Sequence, residues 1–237
     1  MELLDLIPSQ SRLHEIAQAK RFEYVIAKPF PHIILDNFLR PEVLERVLAN
    51  FPGPRENFWT RYDNERERKL EANSEARLPS YIRHLMYAFN TATFLQFLEK
   101  LTIIRGLIPD PMFYGAGLHQ IMPGGVLDIH TDFNRHPHYY LYRRLNVLIY
   151  LNQEWKGEFG GYLELWSSKE KKCVQKIAPI FNRCVVFGTS SRSFHGHPIP
   201  VSCPDGHSRK SLAIYYYSQR PEKGESAVRR ETTWLGC

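Results

Sequence analysis

Two patterns of hydrophobic and polar positions divide the chain at about residue 111. Before it, apolar residues recur at intervals of three and four, which predicts amphipathic helices over residues 9–20, 41–50 and 79–105. Residues 29–35 predict a strand after a proline-rich entry, and the polar residues 52–77 predict a solvated loop or lid.

After residue 111, short alternating segments are separated by Gly, Pro and Asn, a pattern that favours antiparallel strands. The predicted strands cover residues 113–121, 126–132, 144–152, 161–167, 173–177, 183–187, 193–199 and 209–218. Because the helices precede the strands and do not alternate with them, a βαβ arrangement is disfavoured. The sequence therefore predicts an α+β fold that is mainly β, with a jelly-roll or related barrel after the helices.

The chain of 237 residues fits one structural domain made of three segments. These are a helical and strand extension over 1–110, a β core over 111–220 and a charged C-terminal tail over 221–237. Lys and Arg exceed Asp and Glu by 31 − 25 = 6, and the charges are spread along the chain. This distribution indicates a solvated surface and makes a nucleic-acid partner unlikely.

The cysteines show neither a CxxC pair nor the spacing of a zinc site, so we expect reduced thiols. Residues 1–8 lack the basic and apolar parts of a signal peptide, and no stretch is long and apolar enough to cross a bilayer. We therefore expect a cytoplasmic protein without a membrane partner. The oligomeric state is left open.

A His-x-Asp pair, His130 and Asp132, lies in one of the predicted strands. Residues i and i+2 of a strand point to the same face, so an imidazole and a carboxylate stand side by side. These are two of the three ligands of a 2-His-1-carboxylate site, which leaves positions open on non-haem Fe(II). His195 and His197 share a face of a later strand, and either supplies a third ligand.

Arg209 and Ser211 share a face of the last predicted strand. A buried guanidinium is costly unless it meets an anion, and its planar fork suits a carboxylate. An Arg and a hydroxyl at the far end of a metal pocket suit a dicarboxylate co-substrate.

Taken in order, His130-x-Asp132, His195 and Arg209-x-Ser211 resemble the motifs of the 2-oxoglutarate and Fe(II)-dependent oxygenase superfamily, most closely its prolyl-4-hydroxylase-like branch. The likeness extends over about residues 29–220. It also includes the segments 29–39, 123–130, 144–152 and 160–165.

The resemblance implies a double-stranded β-helix core, of the jelly-roll or cupin-like kind, with the N-terminal helices packed on one sheet. It implies His130, Asp132 and His195 as the catalytic iron ligands. His195 is preferred because the resembling motifs have a small or apolar residue two positions after the ligand, where His197 stands here.

The resemblance also implies a co-substrate site around Arg209, which would hold the distal carboxylate of 2-oxoglutarate. Lys210 is an alternative, but Arg209 keeps the Arg-x-Ser face. The other residues implied at this site are Ser211, Tyr150, Asn146 and Leu148. Expected substrate contacts are His119 or Gln120, Asn134, His197 and Arg144.

The function implied is that of a dioxygenase that uses Fe(II), 2-oxoglutarate and O2. Whether it also needs ascorbate as a reductant is left open. The expected reaction hydroxylates an unactivated C–H of a small molecule, an amino acid or natural-product intermediate, with release of succinate and CO2. Asp132 favours hydroxylation over halogenation, because a halide replaces the carboxylate in relatives with Gly or Ala there. The alternatives are a prolyl hydroxylase of peptides or proteins, a nucleic-acid dealkylase and a non-catalytic cupin-like binding module.

Overall fold

A computed structural model describes residues 2–57 and 59–236 of the chain. Its α-helices are α1 (Gln10–Ile26), α2 (Pro41–Ala49), α3 (Ser80–Phe89) and α4 (Ala92–Thr102). Its strands are β1 (His32–Leu35), β2 (Thr60–Asp63), β3 (Arg68–Ala72), β4 (Ile108–Pro109), β5 (Gly117–Ile121), β6 (Leu127–Thr131), β7 (Tyr142–Tyr150), β8 (Leu163–Ser167), β9 (Lys172–Ile177), β10 (Cys184–Gly188), β11 (Phe194–His197), β12 (Arg209–Ser218) and β13 (Thr233–Trp234).

The described strands form two sheets. The large sheet has the order β1-β10-β7-β12-β5-β3-β2, with β4 paired to β12, and the small sheet has the order β13-β6-β11-β8-β9. All of these strand pairs are antiparallel. The predicted jelly-roll core is confirmed, and each of the eight strands predicted after residue 111 has a counterpart.

The helices cover the outer face of the large sheet. Val147 and Ile214 of that sheet belong to the same buried apolar cluster as Phe89 and Phe94 of the helices. A second apolar cluster, which includes Tyr150, Leu165 and Phe187, lies between the two sheets. Alternate residues of each large-sheet strand thus serve different cores, as the two-residue period of a strand requires.

The prediction of one helix over 79–105 is wrong, because α3 and α4 are separated at Asn90. The backbone N–H of Asn90 closes the last turn of α3, and its side chain donates to the carbonyl of Asp110 at 3.1 Å. Thr91 is extended, and its hydroxyl donates to the carbonyl of Ala88 at 2.7 Å. Asn and Thr favour helix ends because their side chains compete for backbone groups.

The prediction that residues 52–77 form a solvated loop is also wrong in part. Within this segment β2 and β3 form a hairpin, and β3 pairs with β5 of the large sheet. Lys69 lies between Glu67 and Glu71 on one face of β3, with Nζ–Oε2 distances of 3.3 and 3.2 Å. Mutual neutralisation lets this charged strand enter the sheet, while Leu70 and Ala72 are buried.

Strands from both sides of residue 110 share the large sheet, and the division of the chain at 110 and 220 stays a prediction. No helix within the described residues is both long and apolar enough to cross a membrane. Cys173, Cys184 and Cys203 are free thiols, and Cys237 lies outside the described residues.

Candidate metal centre

The metal centre predicted from the sequence is assembled between two neighbouring strands of the small sheet. His130 on β6 lies directly opposite His195 on β11, and Asp132 follows the end of β6. One ligand atom from each of the three residues lies within 4.8 Å of the others, the single group of this kind in the described part of the chain. The Asp132 carboxylate oxygens lie 3.8 Å from His130 Nε2 and 3.6 Å from His195 Nε2.

Backbone carbonyls orient both imidazoles. His130 Nδ1 is 2.8 Å from the carbonyl oxygen of Asp128, and His195 Nδ1 is 2.9 Å from that of Ser193. A carbonyl oxygen only accepts, so each Nδ1 carries the hydrogen and each Nε2 offers a lone pair toward Asp132. Burial lowers the pKa of His195 to about 4, which keeps this imidazole neutral.

The Asp132 carboxylate is held in its charged form. Burial acts to raise its pKa, but the positive charge of Arg143 holds the pKa well below its usual range. The resulting donors, two imidazole nitrogens and one carboxylate, fit Fe(II) and leave further positions of the ion for other ligands.

Arg143 and Asn146 hold the Asp132 carboxylate in place. Arg143 Nη2 lies 3.4 Å from Asp132 Oδ1, and Asn146 Nδ2 donates to Asp132 Oδ2 at 2.9 Å. Asn146 Oδ1 accepts from Nε and Nη2 of Arg143 at 3.0 and 2.8 Å, which fixes the amide orientation. The guanidinium of Arg143 also lies 3.4 Å above the ring centre of Tyr215. Asn146, expected at the co-substrate, therefore supports the metal end.

Arg144, expected to contact substrate, lies away from the three expected ligands, and a β-bulge places Arg143 beside Asp132. The pairing of β7 with β12 shifts by one residue here and leaves Arg144 as the extra residue. Arg144 instead lines a separate cavity of about 380 Å³ and donates to the Ser218 hydroxyl at 3.3 Å. Strand alternation alone points to Arg144, whereas the bulge places Arg143 at the Asp132 carboxylate.

The predicted co-substrate end is formed by β5, β7 and β12. Ser211 lies opposite Tyr150 on β7 and opposite His119 on β5, so the three share the face toward the small sheet. Arg209 is 5% exposed and donates from Nε to the Gly161 carbonyl at 2.7 Å and from Nη2 to the Tyr150 hydroxyl at 3.2 Å. Among the described residues, no carboxylate lies within salt-bridge distance of Arg209.

Arg209 is therefore a buried cation that lacks an anionic partner within the described chain. Burial lowers its pKa, and the Tyr150 hydroxyl offsets only part of this. Such a charge is costly to keep unless a ligand supplies the missing anion. Gly161 permits the arrangement, since its φ is +63° and a Cβ there would lie 2.9 Å from Arg209 Cδ.

Leu148 lies on β7 midway between Asn146 and Tyr150 and packs against the cluster between the sheets. It therefore separates the metal end from the Arg209 end. Its role in lining the co-substrate pocket stays a prediction.

Of the two substrate contacts expected on β5, His119 faces the space between the sheets and Gln120 does not. His119 lies opposite Glu71 and Ser211, and burial lowers its pKa to about 4. Gln120 points to the other face of β5 and donates to the Ser208 hydroxyl at 2.8 Å. The strand alternation allows only one of the two to line the site.

Asn134, expected to contact substrate, binds the C-terminal segment instead. Its Oδ1 accepts from the backbone N–H of Arg230 at 2.7 Å, and its Nδ2 donates to the carbonyl of Val228 at 2.9 Å. The backbone N–H of Asn134 donates to the carbonyl of Arg230 at 3.1 Å. Both polar atoms of the Asn134 side chain are therefore already hydrogen-bonded to the C-terminal segment.

The C-terminal segment folds back onto the metal centre, which the sequence did not indicate. β13 pairs with β6 so that Trp234 lies opposite His130. Trp234 and Glu231 line a cavity of about 370 Å³ that also contacts His130 and Asp132. Five aromatic rings contribute to its wall: Tyr62, Tyr114, Phe133, Tyr215 and Trp234. A Trp within an otherwise polar tail is the one feature of the sequence that marks this segment.

Residues 116–217 match the family model described as the 2OG-Fe(II) oxygenase superfamily. No curated protein sequence matches the chain significantly.

Solved structures resemble most of the chain. A prolyl hydroxylase from Trichoplax adhaerens, in complex with a hypoxia inducible factor peptide fragment, is 18% identical, with a TM-score of 0.65 over 90% of this chain and 94% of that one. A Pseudomonas putida prolyl-4-hydroxylase is 15% identical, with a TM-score of 0.58 over 86% and 99% of the two chains. A prolyl 4-hydroxylase from Phytophthora capsici is 20% identical, with a TM-score of 0.60 over 92% and 69%.

The family model confirms the predicted resemblance to the superfamily, and the solved prolyl hydroxylases resemble the chain in fold. They also confirm the prediction of a 2-oxoglutarate-dependent enzyme that uses Fe(II) and O2. Because the identities are low, the solved structures establish the fold of this chain and leave its substrate open. Ascorbate and a cytoplasmic location stay predictions.

Proposed function

We propose that this chain, whose residues 116–217 form a domain of the 2OG-Fe(II) oxygenase superfamily, hydroxylates an unactivated C–H bond of a small molecule. The substrate class would be a free amino acid or a natural-product intermediate. The observation that carries this proposal is the cover that the C-terminal segment places over the metal centre. β13 pairs with the edge of β6, so an extended peptide cannot add to that edge while β13 is in place.

Size supports the same substrate class. The cavity in front of His130 and Asp132 is about 370 Å³, at the small end of the range for ligand pockets. Its wall combines aromatic rings with the Glu67–Lys69–Glu71 group, so it offers apolar surface together with both signs of charge. This combination suits a compact molecule with a polar end.

When bound, Fe(II) and 2-oxoglutarate react with O2 to give succinate and CO2 and transfer one oxygen atom to the substrate as a hydroxyl. His130, Asp132 and His195 would hold the metal, which would leave further positions of the ion for other ligands. Arg143 and Asn146 fix the Asp132 carboxylate through both of its oxygens.

The remaining residues bind and orient. Arg209 neutralises the distal carboxylate of 2-oxoglutarate, and the hydroxyls of Tyr150 and Ser211 flank it. Leu148 keeps the space between the two ends apolar. The aromatic wall of the front cavity excludes water from the reacting C–H bond.

A prolyl hydroxylase acting on a peptide or protein is the second candidate. Its support is the likeness to solved prolyl hydroxylases, one of them in complex with a peptide. It requires β13 to leave the edge of β6. A nucleic-acid dealkylase and a non-catalytic cupin-like binding module are weaker, because the charge is modest and the ligand group is complete.

The test is succinate formation from 2-oxoglutarate by the Fe(II)-loaded chain, with and without ascorbate, across amino acids, prolyl peptides and oligonucleotides. Stimulation by a small molecule supports the first candidate, and stimulation by prolyl peptides alone supports the second. Asp132→Ala removes the carboxylate ligand and should abolish succinate formation. Full activity of that variant, or stimulation by oligonucleotides alone, would overturn the assignment.

A further inference from the structure

His197 is a buried histidine whose hydrogen-bonding capacity is unused by the described residues. It lies on β11, two residues after His195, and is 2% exposed. Both ring nitrogens are buried, and neither forms a hydrogen bond with any described part of the chain. Buried polar atoms without partners are rare in native proteins and call for a specific explanation.

The place of His197 in the fold is between the two ends of the site. The register of β11 shifts against β6 between His195 and His197, but its pairing with β8 is regular through Gly196, so the two histidines share one face of β11. In the pairing of β11 with β8, His195 lies opposite Leu165 and Gly196 opposite Glu164, so His197 lies toward the start of β8. The carbonyl of Gly161, two residues before β8 begins, accepts from Arg209 Nε at 2.7 Å, so His197 and the guanidinium that we assign to the distal carboxylate approach the same end of β8.

An imidazole carries at least one N–H donor in either of its protonation states. Its neighbour Arg209 is the buried cation without an anionic partner described above. A carboxylate placed at Arg209 satisfies both deficits, because it supplies the missing negative charge and an acceptor for the imidazole N–H. Arg209, Tyr150 and Ser211 alone would leave His197 without a partner.

The fold does not require a polar residue at position 197. In the motifs that the chain resembles, a small or apolar residue stands two positions after the second histidine ligand. An apolar side chain there avoids the cost of two unpaired nitrogens. Retention of a group that destabilises the free protein is typical of a ligand-binding residue.

We propose that His197 binds the co-substrate by donating a hydrogen bond to the distal carboxylate of 2-oxoglutarate. This inference rests on the proposed function and adds a binding residue to it. His197 acts on the co-substrate directly, and the metal ligands do not depend on it.

The experiment measures 2-oxoglutarate binding to the Fe(II)-loaded chain under anaerobic conditions, through the visible charge-transfer absorbance of the chelate. A hydrogen bond to a charged group is worth enough that His197→Leu should weaken 2-oxoglutarate binding by about tenfold or more. Fe(II) affinity should stay unchanged. His197→Gln, which keeps a donor and an acceptor, should recover most of the loss, and the exposed His84→Leu is the matched control.

Thermal unfolding supplies a second readout, in which the variant is expected to gain stability without ligand and to gain less from 2-oxoglutarate. Without ligand, His197→Leu should unfold at or above the temperature of the unmodified chain, because two unpaired polar atoms are removed. The rise in unfolding temperature caused by 2-oxoglutarate should be smaller in that variant. If His197→Leu fails to fold, His197→Met, with a flexible apolar side chain, takes its place.

The outcomes separate this inference from the function on which it rests. A lower unfolding temperature for the apolar variant with unchanged 2-oxoglutarate affinity identifies a structural histidine and overturns the inference alone, provided that Arg209→Leu abolishes binding. If the unmodified Fe(II)-loaded chain does not bind 2-oxoglutarate, the proposed function itself fails.

Discussion

Trp234 and His130 face each other across β13 and β6, with their ring centroids 5.2 Å apart. The backbone N–H of Leu235 donates to the Ile129 carbonyl at 2.7 Å, and the Arg230 side chain donates to the Thr131 hydroxyl at 2.6 Å. The expected metal ligand His130 thus packs against a ring 104 positions later in the chain. The C-terminal segment forms one side of the proposed metal centre.

Replacing Trp234 with Ala should therefore make Fe(II) easier to remove. Loss of the indole opens one side of His130 to water, and we expect metal loss to a chelator to be several-fold faster, with about 1 kcal/mol lower stability of the metal-bound state. The measurement is the rate of Fe(II) transfer to an excess of a coloured chelator. Trp234→Phe keeps a ring and should retain most of the protection. Equal rates for the Ala variant and the unmodified chain would contradict the role of this cover.

Replacing Arg143 with Leu should weaken metal binding, because Asp132 loses its positive neighbour and Asn146 loses its orienting donors. Outer partners of metal ligands are worth about 10–100-fold in metal affinity. The measurement is a titration with Co(II), which reports its own coordination in the visible spectrum.

The adjacent Arg144 is the matched control for this prediction. Arg144→Leu removes the same charge one residue later, in a separate cavity. It should leave Co(II) affinity within about twofold, since distant independent sites contribute separately. Equal weakening by both variants would mean that net charge matters and that the position of Arg143 does not.

The residues that sequence patterns could place are those whose chemistry follows from local spacing. His130 and Asp132, or Arg209 and Ser211, share a face through the two-residue period of a strand. The order of these motifs in the chain was sufficient to suggest the family, and the eight strands after residue 111 follow from alternation and turn residues. The structure brings the three expected ligands together.

The features that the sequence could not place depend on contacts between distant segments. The exchange of Arg144 for Arg143 depends on the register between β7 and β12. The strand β3 contains charged residues that are neutralised by ion pairs within the sheet. Its composition is therefore that of an exposed loop, although it pairs with β5. The partner of β13 lies about a hundred residues away, and no local pattern encodes such a pairing.

The Glu67–Lys69–Glu71 group on β3 should be important for stability. Lys69→Met leaves Glu71, which is 3% exposed, without its cation, and breaking a buried ion pair costs about 3–5 kcal/mol. Urea unfolding of the metal-free chain measures this loss. Combining Lys69→Met with Glu71→Gln should recover a large part of it, because the unpaired charge is removed. A Lys69→Met variant as stable as the unmodified chain would show that the hairpin joins the sheet without this pairing.

Asp36 and Arg183 join the end of β1 to the turn before β10, with Arg183 Nε and Nη2 at 2.6 and 2.8 Å from the two carboxylate oxygens. The hydrogen bond from Arg183 lowers the pKa of Asp36. A lowered folded-state pKa means that the contribution to stability is present above the unfolded-state pKa and is lost as the pH falls through the folded-state value. Because half of the Asp36 side chain is exposed, solvent screening limits the contribution to at most about 1 kcal/mol.

Asp36→Asn should therefore lower the free energy of unfolding at pH 7 by that amount, and the difference from the unmodified chain should vanish in acid, below the lowered pKa. Urea unfolding at a series of pH values checks this, and a difference that persists unchanged in acid would show that the side-chain geometry, and not the charge, holds the two segments together.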